Sequence, residues 1–112
     1  MLIGNNMIQT TTSIIEGKKI TAYLGIISAD VIIGANIFSD LFAAVRDVVG
    51  GRSATYEKKL GEGKIMAIKE LEQEAQKLGA NAIVGIDFDF ETVGGKGSML
   101  MITVTGTAVK IE

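Results

Sequence analysis

Apolar and polar positions alternate in two different periods along this chain, and the change of period divides it into elements. Residues Ile8 to Ile15 are Thr-rich and extended in character, which predicts a short or edge strand, and Glu16-Gly17-Lys18 reads as a turn. Lys19 to Ile27 predicts the first long strand, with β-branched and aromatic residues in partial alternation. Asp30 is expected to break it before Val31-Ile32-Ile33. The period then lengthens. Ile37, Phe38, Leu41, Phe42, Val45, Val48 and Val49 form the stripe of a helix over 37–49, capped by Asn36 and stopped by Gly50-Gly51. Ser53 is expected to cap a second helix, whose firm part runs from Lys64 to Leu78. Its stripe is Leu60, Ala67, Leu71, Ala75 and Leu78, widened by Ile65 and Ile68, and Gly79 closes it at C′. Gly61 and Gly63 weaken the first turns by about 1 kcal/mol each relative to Ala.

Period two returns after Gly79. Ala82 to Thr92 is expected to set Ala82, Val84, Ile86, Phe88 and Phe90 on one face and Ile83, Gly85, Asp87, Asp89 and Glu91 on the other. Gly94 to Gly97 reads as a hairpin loop. Met99 to Val109 is the last strand, with Leu100, Ile102, Val104 and Ala108 opposite Met101, Thr103, Thr105 and Thr107. The order β–α–α–β–β predicts an α+β fold, a mainly antiparallel sheet with helices on one face.

Composition narrows the chemistry. The 112 residues suffice for one domain, with residues 1–6 a tail ahead of an alternative start at Met7 and the domain spanning 7–112. There is no Cys and no His, which excludes disulfides, zinc fingers, thiol nucleophiles and histidine-based triads. Eleven basic residues against 13 acidic ones leave a net charge of −2, so neither nucleic acid nor an anionic membrane is an expected partner. No apolar run is long enough to span a bilayer and no signal peptide is visible, which gives a cytoplasmic expectation. Hydrophobic residues make up 47% of the chain, either a well-filled core or apolar surface covered by other copies.

Three groups of residues merit a chemical reading. Asp87, Asp89 and Glu91 share one strand face at steps of about 7 Å. Their mutual repulsion would be relieved by a hard divalent cation, by Arg46 or Arg52 of a neighbouring subunit, or by solvent alone. Gly51, Arg52 and Ser53 at a helix start would suit an anion, although a plain helix–helix corner explains them as well. Gly94-Gly95-Lys96-Gly97-Ser98 lacks the spacing and the following helix of a phosphate loop. No activated nucleophile is apparent, so no catalytic residue is assigned.

Several blocks occur together in order. They are Gly34-Ala35-Asn36-Ile37-Phe38 with Asp40, Phe42 and Ala43; Arg46-Asp47 with Val49-Gly50-Gly51-Arg52-Ser53 and Tyr56-Glu57-Lys58; and Leu78-Gly79-Ala80-Asn81-Ala82 with Val84-Gly85-Ile86-Asp87. Glu91-Thr92-Val93-Gly94, Gly97-Ser98-Met99-Leu100-Met101 and Gly106-Thr107-Ala108-Val109 complete them. Together they resemble the YbjQ family, from Met7 to about Lys110. The resemblance implies a dodecin-like β-α-β-β subunit assembling into a homopentameric ring, of unassigned function and described as heavy-metal-binding. It brings no catalytic residues. Soft metals select thiolate and imidazole, and this chain offers only thioethers, Met99 and Met101 being the best-placed pair. The expected function is a non-enzymatic ring-forming module that binds a ligand or partner between subunits. The alternatives are a metal-binding or metal-handling protein and a carboxylate enzyme using a divalent cation.

Overall fold

A computed structural model describes residues 7–34, 50–95 and 99–112, and the side chains of all of these except 50–56. The expected helix over 37–49, the tail 1–6, Arg46 and the loop residues 96–98 lie outside the described residues. The described chain is α+β, with strand β1 (Ile8–Gln9), strand β2 (Ile20–Ile33), helix α1 (Gly50–Lys77), strand β3 (Ala82–Val93) and strand β4 (Met99–Ile111). The strands form one mixed sheet in the order β1-β3-β4-β2. β1 runs parallel to β3, and both contacts of β4 are antiparallel.

α1 packs its small and aliphatic stripe, Ala67, Leu71 and Ala75, onto the inner face of the sheet. There it meets Ile27, Ala29 and Val31 of β2, Ile83 and Ile86 of β3, and Ile102, Val104 and Ala108 of β4. Ile65, expected to widen the stripe, is 59% exposed instead. The helix is longer than its firm part suggested. Gly50, Gly51, Arg52 and Ser53 are helical, so the expected stop at Gly50-Gly51 and the cap at Ser53 are not seen. Side-chain packing farther along carries the helix through residues of weak propensity.

One of its glycines also has a packing task. A Cβ on Gly63 would lie 2.6 Å from Ile102 Cδ1 and 3.2 Å from Ile33 Cδ1, whereas one on Gly61 would meet nothing. Gly61→Ala is therefore expected to stabilise the fold by about 0.5–1 kcal/mol through helix propensity. Gly63→Ala, with the same propensity gain, is expected to lose about 1–2 kcal/mol to overpacking. Urea titrations of both variants at one protein concentration check the opposite signs.

The end of α1 explains the block Leu78-Gly79-Ala80-Asn81. The Ala80 N–H donates to the Ala75 carbonyl (3.1 Å) and the Gly79 N–H to the Gln76 carbonyl (3.0 Å), with Gly79 at φ +81°. This is a Schellman closure with glycine at the left-handed C′ position. Asn81 then continues the β3–β4 ladder with its side chain. Its Nδ2 donates to the Ile111 carbonyl (3.0 Å), and its Oδ1 accepts from the Ile111 N–H (2.7 Å).

Two of the strands depart from simple alternation. β2 runs unbroken through Asp30, whose side chain lies on the outer face and accepts a hydrogen bond from Thr103 Oγ1 at 2.7 Å. In β3 the register slips between Val84 and Asp87, where three steps along β3 match two along β4, from Thr107 to Thr105. Gly85 sits there at φ +64°, a left-handed conformation that costs glycine little. The extra residue reverses the expected faces of the first part of the strand. Ile83 joins Ile86 and Phe88 on the helix side, while Ala82 and Val84 share the outer face with Asp87, Asp89 and Glu91.

Candidate functional site

The helix covers only the inner face of the sheet. On the outer face, Ile15, Ile20 and Ile111 close over Ala82, Val84 and Val109 at one end, and no other described element covers the remainder. Cross-strand register sets out the open part row by row, since directly opposed residues share a face. Ile26 lies beside Thr107, which faces Val84; Ser28 beside Thr105, which faces Asp87; Asp30 beside Thr103, which faces Asp89. Ile32 lies beside Met101, which faces Glu91, and Met99 faces Val93. The centre is thus a Thr ladder with Met101 and Met99 at its end, carboxylates on the β3 side, and Ile26 and Ile32 on the β2 side.

The face carries exposed apolar groups that a solvated sheet would lack. Ile26 is 86% exposed, and Tyr23, set opposite Val109, is 69% exposed. A second irregularity, between Tyr23 and Gly25, shifts β2 so that Leu24 packs against the core and Ile26 turns outward.

The acidic residues singled out in the sequence do share this face, and Asp30 joins them. Asp87, Asp89 and Glu91 lie in a row along β3 rather than around a point, and Asp30 stands on β2, across Thr103 from Asp89. Among the described residues no three His, Cys, Asp or Glu side chains converge to hold a metal ion. Nor does either ion pair seen there, Lys59–Glu62 at 3.7 Å and Lys77–Glu74 at 2.9 Å, involve this row. Gly51, Arg52 and Ser53 are placed only as helical backbone, with no loop ahead of them among the described residues. Asp30 and Thr103 escaped the sequence reading because their partnership spans 73 positions and needs the β2–β4 register. Among the described residues no helix is long and apolar enough to cross a membrane.

One helix laid on one face of a four-stranded mixed sheet defines the class of the described fold as α+β. The chain belongs to the YbjQ family, whose model matches residues 7–112 and carries the description "Putative heavy-metal-binding". A crystal structure of a protein of unknown function from Pediococcus pentosaceus, of the DUF74 family, is similar to it. That likeness has 18% sequence identity over 95% of this chain and 98% of the other, with a TM-score of 0.57, and it supports the fold.

Proposed function

We propose that this protein is a non-enzymatic subunit of a homo-oligomeric ring, in which neighbouring copies cover the open sheet face and a ligand or partner is held between them. The observation that carries this reading is the outer face itself, with Ile26, Tyr23 and Ile32 exposed together on one side of the sheet. Subunits joined head to tail close into a ring when their rotation closes. Five is the number implied by the family resemblance, as is the dodecin-like arrangement, and a cytoplasmic place accords with both. Native mass spectrometry of protein purified without chelators tests the reading. A mass at five times 11.8 kDa is expected, and a monomer at micromolar concentration would overturn it.

The family description favours a second reading, metal binding. The donor set here argues against a soft metal. Cys and His are absent, Met7 packs against the core, and Met66 stands on the helix away from Met99 and Met101. Calorimetric titration with Cd²⁺, Hg²⁺ and Cu⁺ is therefore expected to show no stoichiometric binding tighter than about 1 μM. If a hard cation binds, Asp87, Asp89 or Glu91 are its ligands, and Asp89→Asn should weaken it measurably. An unchanged affinity would remove that assignment. A carboxylate enzyme would need the same cation.

A further inference from the structure

We propose that the free edge of β3, from Asp87 to Val93, accepts an added β-strand from a partner polypeptide whose residues alternate between apolar and basic. The first observation is the edge. β1 pairs with β3 only at Ala82 and Ile83, and no other described strand pairs with that side of β3. The chain after β1 stays with the edge just as far as the bulge, where Thr10 accepts from the Ile86 N–H (3.1 Å) and Thr12 from the Gly85 N–H (2.9 Å). Since the Ile86 N–H points to the edge, alternation directs the N–H and C=O groups of Phe88, Phe90 and Thr92 the same way. A row of free main-chain donors and acceptors is what strand addition uses for affinity.

The second observation is a groove of about 440 Å³ beside this strand on the helix side, lined by Ile65, Ile68 and Phe88, with Lys64, Lys69 and the hydrogen-bonded pair Gln9 and Glu72 alongside. Phe90, 48% exposed, stacks on Phe88 with ring centroids 6.4 Å apart and extends the apolar surface along the strand. The third is charge. On the opposite side of the same strand stand Asp87, Asp89 and Glu91, all exposed. A strand added here would send alternate side chains into the groove and onto the acidic side. The groove selects apolar groups, and its two lysines against the single carboxylate of Glu72, already engaged by Gln9, disfavour cations there. The carboxylates select Lys or Arg on the other side.

The same charges argue against a second copy as the occupant. Pairing β3 with β3 would oppose carboxylate to carboxylate, and the outer row of β2, Tyr23, Ile26, Ser28, Asp30 and Ile32, offers no cation. This inference does not rest on the ring, because the edge and groove lie beside the Met101 face; the carboxylates share that face, so a ring that covers them would weaken the basic contacts of an added strand and leave its main-chain pairing and apolar contacts.

The test uses the whole protein and capped peptides of about seven residues alternating Lys and Val, the length of the free edge. Saturating peptide is expected to slow amide hydrogen exchange at Phe88, Phe90 and Thr92 by about tenfold. Two N-methylated isomers, one blocked at every Lys amide and one at every Val amide, should differ. One loses binding by at least about tenfold and the other keeps it, because only alternate amides of an added strand face the edge. Replacing the peptide lysines by Glu should weaken binding, and Asp89→Lys should reverse that preference. A monomeric variant should bind at least as well as the wild type. The proposal is overturned by no binding at about 1 mM, by equal binding of the two isomers, or by slowed exchange at β2 instead. Edge amides already protected without peptide, in proportion to protein concentration, would assign the edge to a second copy and overturn it as well.

Discussion

Gly106→Val is expected to destabilise the fold by about 3 kcal/mol, the upper part of the range for overpacked cores. A Cβ at Gly106 would stand 2.7 Å from Ile83 Cγ2 and 3.2 Å from Ile86 Cγ1, with the Val84 carbonyl oxygen at 3.4 Å. The nearest of these is a branch methyl held next to the backbone of a strand, and Ile83 is fully buried, so it has little room to move. The crowding is a product of the bulge. Because three steps of β3 match two of β4 here, Ile83 and Ile86 both turn inward around one position of β4, and only hydrogen fits between them. Valine's preference for strands, worth up to about 1 kcal/mol, acts in the opposite direction and is outweighed. A urea titration with unchanged slope and a lowered midpoint is the expected result. A midpoint at or above that of the wild type would mean that β3 does not bulge against β4 at this point.

Met101→Lys is expected to take the proposed ring apart without unfolding the subunit. Met101 lies on the open face between Ile32 of β2 and Glu91 of β3. In a separated subunit the new ammonium has solvent and the Glu91 carboxylate nearby, so the cost to the fold is small. In an assembly that covers this face it would be a charge taken out of water, at a cost of several kcal/mol at every contact. Sedimentation should fall to the 11.8 kDa subunit with helical circular dichroism retained. Met66, 52% exposed on α1, supplies the control, since Met66→Lys adds the same charge on the helix side and should leave the mass unchanged. A fully assembled Met101→Lys protein would move the subunit contact off this face.

Much of the fold was legible because the strongest signals are periodic and local. The Leu100, Ile102, Val104 row of β4 is buried, as its alternation predicts, and Ala67, Leu71 and Ala75 are the buried stripe of α1. Gly79 closes the helix as its position implied. What was not legible depends on register between strands. Nothing local marks Gly85 as an added residue rather than one more step of alternation, so strict alternation puts Ile83 on the wrong face. Asp30 reads as a strand breaker until Thr103 is placed beside it. The exposure of Ile26 follows from an irregularity at Tyr23–Gly25 that only the pairing with β4 reveals. The acidic row was visible, but its linear layout is a property of the strand in space.

The bulge at Gly85 also governs how this chain can change over generations. Beyond it, substitutions at Asp87, Asp89 or Glu91 alter an exposed surface one group at a time and leave the interior alone. Loss of Gly85 would let two steps of β3 match two of β4, from Thr107 to Thr105, so the bulge would disappear with Asp87, Asp89 and Glu91 still on the outer face. Loss of Phe88 or Asp89 is a different event. It would exchange the two sides of the rest of the strand, turning Glu91 toward the interior and Phe90 outward. Length is therefore held more tightly in the regular part of β3 than at the bulge, where one residue can be given up without exchanging any face.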